Sequence, residues 1–157
     1  MQSNLNSEDW GAILIQAYPI EFGWIGVDIS NQVAYFSTFN QAYTPKKVLS
    51  SFEQYLELAG SLNNLQETSS SQLYTKEKGW FHDWHFHSRR GLFAYDYWDA
   101  HRKQSEKLSR YDLITVPAVP IDFNSIPGIE QYKPIIPHFD LEFGDNILFE
   151  DLRKNER

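Results

Sequence analysis

Cysteine is absent from the 157 residues of this chain. Its absence excludes disulfide bonds, thiolate metal ligands and cysteine nucleophiles, although it leaves the redox compartment open. Long apolar runs are also missing, since the longest early run comprises only residues 12–15, whereas a membrane-spanning helix needs about 20 residues. The first 45 residues contain no lysine or arginine, so the basic start of a secretory signal peptide is lacking. We therefore expect a cytoplasmic protein that binds no membrane.

Sequence motifs of the common catalytic sites are absent as well. Neither the Gly-x-Ser-x-Gly nucleophile turn, nor the Walker phosphate loop, nor a Gly-x-Gly-x-x-Gly dinucleotide motif occurs. We expect a protein that is not an enzyme, with no cofactor and no metal. The net charge of −7 disfavours nucleic acid as a ligand and favours a basic partner. Residues 111–157 carry nine acidic against four basic side chains and are the most acidic part of the chain.

Aromatic residues are abundant, at 16% of the chain. Large rings supply much buried area, and this length suits one domain over residues 1–157. A hairpin is predicted over residues 23–38, with Ser30-Asn31-Gln32 as its turn. The helical spacing of apolar residues over 44–65, with Thr44 as cap and Pro45 at the first position, predicts a helix.

The remaining segments favour strands. Residues 10–18 are compatible with a short helix or a strand, and we predict a strand. Residues 80–87, 91–98 and 112–119 are also predicted strands, whereas residues 100–108 fit a short helix or a long turn. The predicted fold class is α+β, a mainly antiparallel sheet with helices packed on one face. The rings of Phe93, Tyr95 and Tyr97 share one face of their strand and are predicted to form core beneath the helix.

A histidine cluster supports an alternative function. In a strand, His85 and His87 point to the same face, which is the spacing that a metal site needs. The alternative hypothesis is therefore a metal-binding or metal-dependent enzyme domain that uses His82, His85 and His87. The neighbouring Arg89 and Arg90 oppose it, because two guanidinium groups repel a cation.

A family resemblance supports the other hypothesis. Four sequence features resemble small immunity-protein families of bacterial polymorphic toxin systems. They are the stretch Trp24-Ile25-Gly26-Val27-Asp28 with residues 33–38, the strand Gly91-Leu92-Phe93-Ala94-Tyr95-Asp96, Tyr111, and the Pro117-x-x-Pro120 spacing. The similarity covers roughly residues 20–130 and consists of structural motifs. It implies a non-enzymatic cytoplasmic inhibitor that blocks the active site of a cognate toxin delivered by contact-dependent inhibition or type VI secretion. A scaffold or regulatory subunit differs from it only in the partner.

No residue-level inhibitory motif accompanies that resemblance, so the binding residues are predicted from charge. Toxin nucleases present basic clefts, which an acidic surface attracts and orients. The densest acidic run provides the predicted partner-binding residues, with Phe139, Phe143 and Phe149 as candidate anchors. Those residues are Asp140, Glu142, Asp145, Glu150 and Asp151.

Overall fold

The computed structural model describes Met1, residues 4–97 and residues 109–157. Four α-helices lie within this part of the chain: α1 (Ser7–Ile15), α2 (Phe52–Asn63), α3 (His82–Arg89) and α4 (Phe149–Asn155). Its strands are β1 (Glu21–Val27), β2 (Val33–Phe39), β3 (Ser71–Leu73), β4 (Phe93–Asp96), β5 (Arg110–Pro117) and β6 (Ile147–Leu148). Short 3₁₀ helices cover Lys46–Leu49, Phe123–Ser125 and Ile129–Ile135. The helix or turn predicted for residues 100–108 lies outside the described residues.

The described strands form one sheet in the order β1-β2-β4-β5-β3, with β6 also pairing with β5. Every pairing is antiparallel except that of β2 with β4, which is parallel. The predicted α+β class with a mainly antiparallel sheet is confirmed. The hairpin of β1 and β2 is also confirmed, and Asn31 takes the left-handed conformation, φ 60°, in its turn.

The strand predicted for residues 10–18 is wrong, because α1 covers residues 10–15 and residues 16–18 form no strand. Asn6 and Asp9 form a capping box, in which each side chain accepts the other residue's backbone N–H. Trp10 and Ile13, one helical turn apart, are buried. Trp10 stacks on Phe52 at 5.0 Å between ring centroids, so the helix packs on α2.

The predicted helix over 44–65 exists but is interrupted. Residues Lys46–Leu49 form a 3₁₀ turn, and α2 begins afterwards, with Ser51 rather than Thr44 as its cap. The predicted apolar face is buried, and the Tyr55 hydroxyl on it donates to the Gly23 carbonyl at 2.6 Å. This bond fixes α2 to β1 at a glycine, where no side chain separates the two elements.

The strand predicted for residues 80–87 is also wrong, since α3 begins at His82. Helix α3 lies on the sheet and contacts it through Trp84 and Ser88. The contact is at a β-bulge of β4 and β5. Ala94 pairs with Thr115 and Tyr95 with Leu113, so Ile114 is the extra residue. The Ser88 Oγ lies 2.7 Å from Thr115 Oγ1, and Trp84 packs near Ile114.

The two faces of the sheet have different covers. Helices α2 and α3 lie over the face of Gly23 and Tyr35, as the bond of Tyr55 and the stacking of His87 on Tyr35 show. The opposite face carries the ring set Trp24, Phe36, Phe93, Tyr95 and Tyr111. The predicted core role of Phe93 and Tyr95 is confirmed, but their rings pack against Phe143 and not beneath a helix. Tyr97, the third ring of that prediction, is half-buried and packs on Tyr111 and Phe149.

His87 makes the stability of the fold depend on pH. Burial, assisted by the amino group of Met1 and by Arg90, holds the pKa of His87 well below its ordinary value of 6.5. Below about pH 6.5 the His87 imidazole therefore binds a proton in the unfolded chain but not in the folded chain. Because of this difference, the free energy of unfolding falls as the pH falls. We expect His87→Phe to flatten this acid-side fall between about pH 6.5 and pH 5 in urea titrations.

The exposed His82 supplies the matched control, because His82→Phe keeps the buried imidazole. Burial also lowers the pKa values of His85 and His138, which add a fall of the same sign in every variant. Equal slopes for His87→Phe and the wild type would contradict the assignment to His87.

Candidate partner-binding surface

The C-terminal segment, residues 137–151, begins along the outer edge of β1. The Phe139 N–H donates to Val27 O at 2.8 Å, Val27 N–H donates to Pro137 O at 3.0 Å, and Ile29 N–H donates to Leu141 O at 3.0 Å. These bonds extend the sheet by a short bridge parallel to β1. Because extended backbone sends successive side chains to opposite sides, the segment presents one row to the core and one to solvent.

The rings of this segment face the core. Phe139 is fully buried and Phe143 and Phe149 are each 7% exposed. Phe139 packs beside Trp24, Phe143 beside Phe36, and Phe149 beside Tyr111. The prediction that these three rings anchor a partner is therefore wrong, because the aromatic face of the sheet already binds them.

The carboxylates of the segment face solvent. All five predicted residues are exposed, and we call them together the C-terminal acidic surface: Asp140, Glu142, Asp145, Glu150 and Asp151. They occupy two elements, the bridge beside β1 with its following loop, and the first turn of α4.

Basic side chains compensate part of this charge. Arg157 lies 2.9 Å from Asp140, and Lys154 lies 2.7 Å from Glu150 one helical turn away. The hydrogen bond from Lys154 lowers the pKa of Glu150. Glu142, Asp145 and Asp151 form no ion pair with any residue that the structure describes. These three carboxylates are the ones most available to a basic partner.

Asp145 is held in place by its neighbours. The Tyr74 hydroxyl donates to Asp145 Oδ1 at 2.9 Å, and the Asn146 N–H donates to the same oxygen at 2.8 Å. The bond from Tyr74, and next that from Asn146, lower the pKa of Asp145. The carboxylate therefore stays ionised to lower pH and has a fixed direction, which reduces the entropy lost when a partner binds.

Asp28 supports the part of this surface that lies beside β1, a role that the sequence did not predict. It is fully buried, and its Oδ1 accepts the N–H groups of Ser30 and Gln32 at 2.9 and 2.8 Å. Its Oδ2 accepts the Phe143 N–H at 3.0 Å. One carboxylate thus joins the hairpin turn to the acidic segment. The sequence indicates the bonds to Ser30 and Gln32, because an aspartate just before such a turn commonly accepts its N–H groups. The bond from the Phe143 N–H is not visible in the sequence, because the two residues lie 115 positions apart.

Exposed apolar residues lie along the other sheet edge, where Tyr74 contacts Asp145. Strands β3 and β6 both pair with β5, β6 at its start and β3 at its end. Leu73, Tyr74 and Leu148 on this edge are 52%, 44% and 49% exposed. Sequence reasoning missed this edge, because a two-residue and a three-residue strand are too short to show an alternating pattern. An apolar strip beside carboxylates is typical of protein-binding surfaces.

The three histidines of the alternative hypothesis do not share a face. In α3, His82 is exposed and stacks on Trp80, His85 Nδ1 lies 2.6 Å from Ser71 Oγ, and His87 is buried on Tyr35. The strand that was predicted to align His85 with His87 is replaced by a helix, which separates residues two apart by about 200°. Within the described residues, no group of three or more His, Asp or Glu side chains is placed to hold a metal ion.

No helix in the described ranges has the length and apolar character needed to cross a membrane.

Comparisons with known proteins identified no relative of this chain. The chain matches no protein-family model, no curated protein and no solved structure.

Proposed function

We propose that this protein is a non-enzymatic immunity protein that neutralises a cognate bacterial toxin by covering its basic active-site cleft with the C-terminal acidic surface. One observation carries the proposal: Phe139, Phe143 and Phe149 are buried while the five carboxylates of the surface are exposed, and residues 137–141 are hydrogen-bonded along the edge of β1. A nuclease toxin fits best, because its cleft is built for phosphate and attracts carboxylates in the same way.

The charge distribution supports a contact that forms quickly and in one orientation. Glu142, Asp145 and Asp151 are exposed and have no ion pair among the described residues, so binding does not first require a salt bridge to break. Fixed carboxylates of one sign accelerate association with a basic surface and disfavour wrong orientations. Tyr74 contacts Asp145 and belongs to the apolar edge with Leu73 and Leu148, and this edge adds the desolvated contact area that charge alone does not provide.

The direct test is co-expression with a toxin-like C-terminal domain encoded immediately upstream, scored by growth rescue and co-purification. The wild-type protein is expected to rescue growth and to form a stable complex. Absence of both with every upstream toxin domain would overturn the proposed function.

Charge reversal locates the surface. Glu142→Lys with Asp151→Lys is expected to slow association with the toxin domain at least about tenfold, because it turns attraction into repulsion. The matched control is Glu57→Lys with Glu77→Lys, two exposed acids outside this surface that give the same change in net charge. Association rates at low and high salt are measured by surface plasmon resonance, and the wild-type rate is expected to fall as salt rises.

The two failures are distinguishable. Rescue by the wild type with equal slowing in both double variants would show that only net charge matters, so the acidic surface would lose its assigned role. Unchanged association for Glu142→Lys with Asp151→Lys would place the interface elsewhere while leaving the inhibitor function intact.

A further inference from the structure

The two long edges of the sheet are covered differently. Residues 137–141 hydrogen-bond to β1 and cover the edge on that side. The other edge is β3, which pairs with β5 and with no further strand of the described chain. Gln72 and Leu73 are exposed, and the Leu73 side chain is 52% accessible. Within the part of the chain that the structure describes, this edge of the sheet is therefore open.

The backbone of β3 directs part of its hydrogen-bonding groups away from the sheet. The Tyr74 N–H donates to Ile114 O at 2.8 Å, and Ser70 O accepts a backbone N–H from the segment after β5 at 2.9 Å. Residues 70 and 74 therefore face β5. Because successive residues of a strand alternate in the direction of their backbone groups, the N–H and C=O groups of Ser71 and Leu73 point outward. They have no backbone partner among the described residues.

This edge also lacks the features that normally prevent edge pairing. Proteins protect open edges from other strands with charged side chains, with proline or with a covering segment. Residues 68–75, Thr-Ser-Ser-Ser-Gln-Leu-Tyr-Thr, contain no charged residue and no proline. An open edge without such protection is where an extended segment of another protein can add to a sheet as a further strand.

The side chains differ between the two sides of this edge. Ser71 points to the side of α3, where its Oγ lies 2.6 Å from His85 Nδ1, and Leu73 points to the same side because side chains alternate along a strand. Tyr74 points to the other side, where its hydroxyl donates to Asp145 Oδ1 at 2.9 Å. A strand added to β3 would therefore meet an exposed leucine on one side and a carboxylate of the C-terminal acidic surface on the other.

We propose that the cognate toxin adds an extended strand to β3, with apolar side chains toward Leu73 and basic side chains toward Asp145. This inference rests on the proposed function and adds a mode of binding to it. The outward backbone groups of Ser71 and Leu73 hydrogen-bond to the backbone of the added strand, which gives affinity. Alternation along that strand places its basic residues on the carboxylate side and its apolar residues on the other, which gives specificity.

Leu73→Pro tests the backbone contact, and Leu73→Ala is its matched control. Both variants lose the leucine side chain, but only the proline variant loses the outward N–H. Because this N–H points away from β5, both variants are expected to unfold at similar urea concentrations. The dissociation constant of Leu73→Pro for a toxin domain that the wild type neutralises is expected to be at least about tenfold higher than that of Leu73→Ala. Surface plasmon resonance measures both constants.

A second copy of this chain is the alternative occupant of the edge. It fits less well, because its own residues 68–75 contain no basic side chain that could face Asp145. Sedimentation velocity of the wild type without the toxin is expected to show a monomer. A dimer that Leu73→Pro dissociates and Leu73→Ala does not would assign the edge to self-association and overturn the proposal.

Amide hydrogen exchange of the wild type provides a measurement that needs no substitution. The Ser71 and Leu73 amides are expected to exchange at least about tenfold more slowly in the complex than in the free protein, because the added strand accepts their N–H groups. Unchanged exchange of both amides, or equal affinities of Leu73→Pro and Leu73→Ala, would overturn strand addition while the inhibitor function stands. Absence of growth rescue by the wild type would instead overturn the proposed function, and this inference with it.

Discussion

Gly91→Ala is expected to lower the free energy of unfolding by about 3–5 kcal/mol, or to prevent folding. Gly91 has φ +90°, a conformation that costs an L-residue about 1–2 kcal/mol. An added Cβ would also lie 2.8 Å from the backbone nitrogen and the Cβ of Ile121. The Ile121 N–H donates to the Gly91 carbonyl at 2.9 Å, so the two segments cannot separate without breaking this bond. Urea denaturation with fluorescence detection measures the loss.

Gly60 provides a matched control for that substitution. It lies inside α2, and a Cβ added there would meet nothing within 4 Å. Gly60→Ala is expected to stabilise the protein by about 0.5–1 kcal/mol, since alanine loses less conformational freedom in a helix. If Gly91→Ala is as stable as the wild type, the left-handed turn before β4 is not a constraint on the fold.

Asp28→Ala is expected to lower the free energy of unfolding by about 3–5 kcal/mol, because three backbone N–H groups lose a charged acceptor at once. The Phe143 N–H is buried, so removal of the carboxylate takes away its hydrogen-bond acceptor. Asp28→Asn keeps the Oδ1 bonds to the turn but places an amide N–H against Phe143, so a smaller loss of about 1–3 kcal/mol is expected. Hydrogen exchange is expected to rise along residues 137–143 in both variants.

Asp122 is the comparison for Asp28. It is exposed, and its Oδ1 accepts a single backbone bond, from the Asn124 N–H at 2.8 Å. Asp122→Ala is expected to cost only about 0.5–2 kcal/mol, as for other caps of short helices. Equal losses for Asp28→Ala and Asp122→Ala would show that the buried three-way contact contributes no more than one exposed bond, and would remove Asp28 from its role beneath the acidic surface.

Local signals were sufficient where neighbouring residues determine the structure. The hairpin of β1 and β2 followed from β-formers on both sides of an Asn-containing turn, and Asn31 takes the conformation that such a turn requires. The apolar face of α2 followed from helical spacing. The start of α2 did not, because Ser51 competes with Thr44 as a cap and both have suitable side chains.

The sequence predicts strands in place of α1 and α3, because isoleucines in α1 and aromatic residues in α3 have high strand propensity. In α1 the capping box of Asn6 and Asp9 prevails over propensity, and Trp10 gains a partner on α2. In α3 a helix brings Trp84 and Ser88 onto the bulge at Ile114, which does not exist until β4 and β5 pair. Propensity is a weak prior that such tertiary contacts override.

The candidate site shows the same division. Composition identified the carboxylates of the C-terminal acidic surface, because charged side chains remain hydrated and hence exposed. It misassigned Phe139, Phe143 and Phe149, since a ring that anchors a partner and a ring that fills the core look alike in a sequence. Their burial depends on the ring set of the opposite sheet face, which assembles from segments far apart in the chain.

The sequence alone predicts four features: the fold class, the hairpin, the acidic character of the C-terminal part and the absence of cysteine chemistry. Each of them depends on composition or on neighbours along the chain. Tertiary structure alone decided three features: the bond of Asp28 to Phe143, the apolar edge of β3 and β6, and the burial of His87 against Tyr35. Each joins residues distant in sequence, and its energy comes from burial and hydrogen bonds that exist only after the chain has folded.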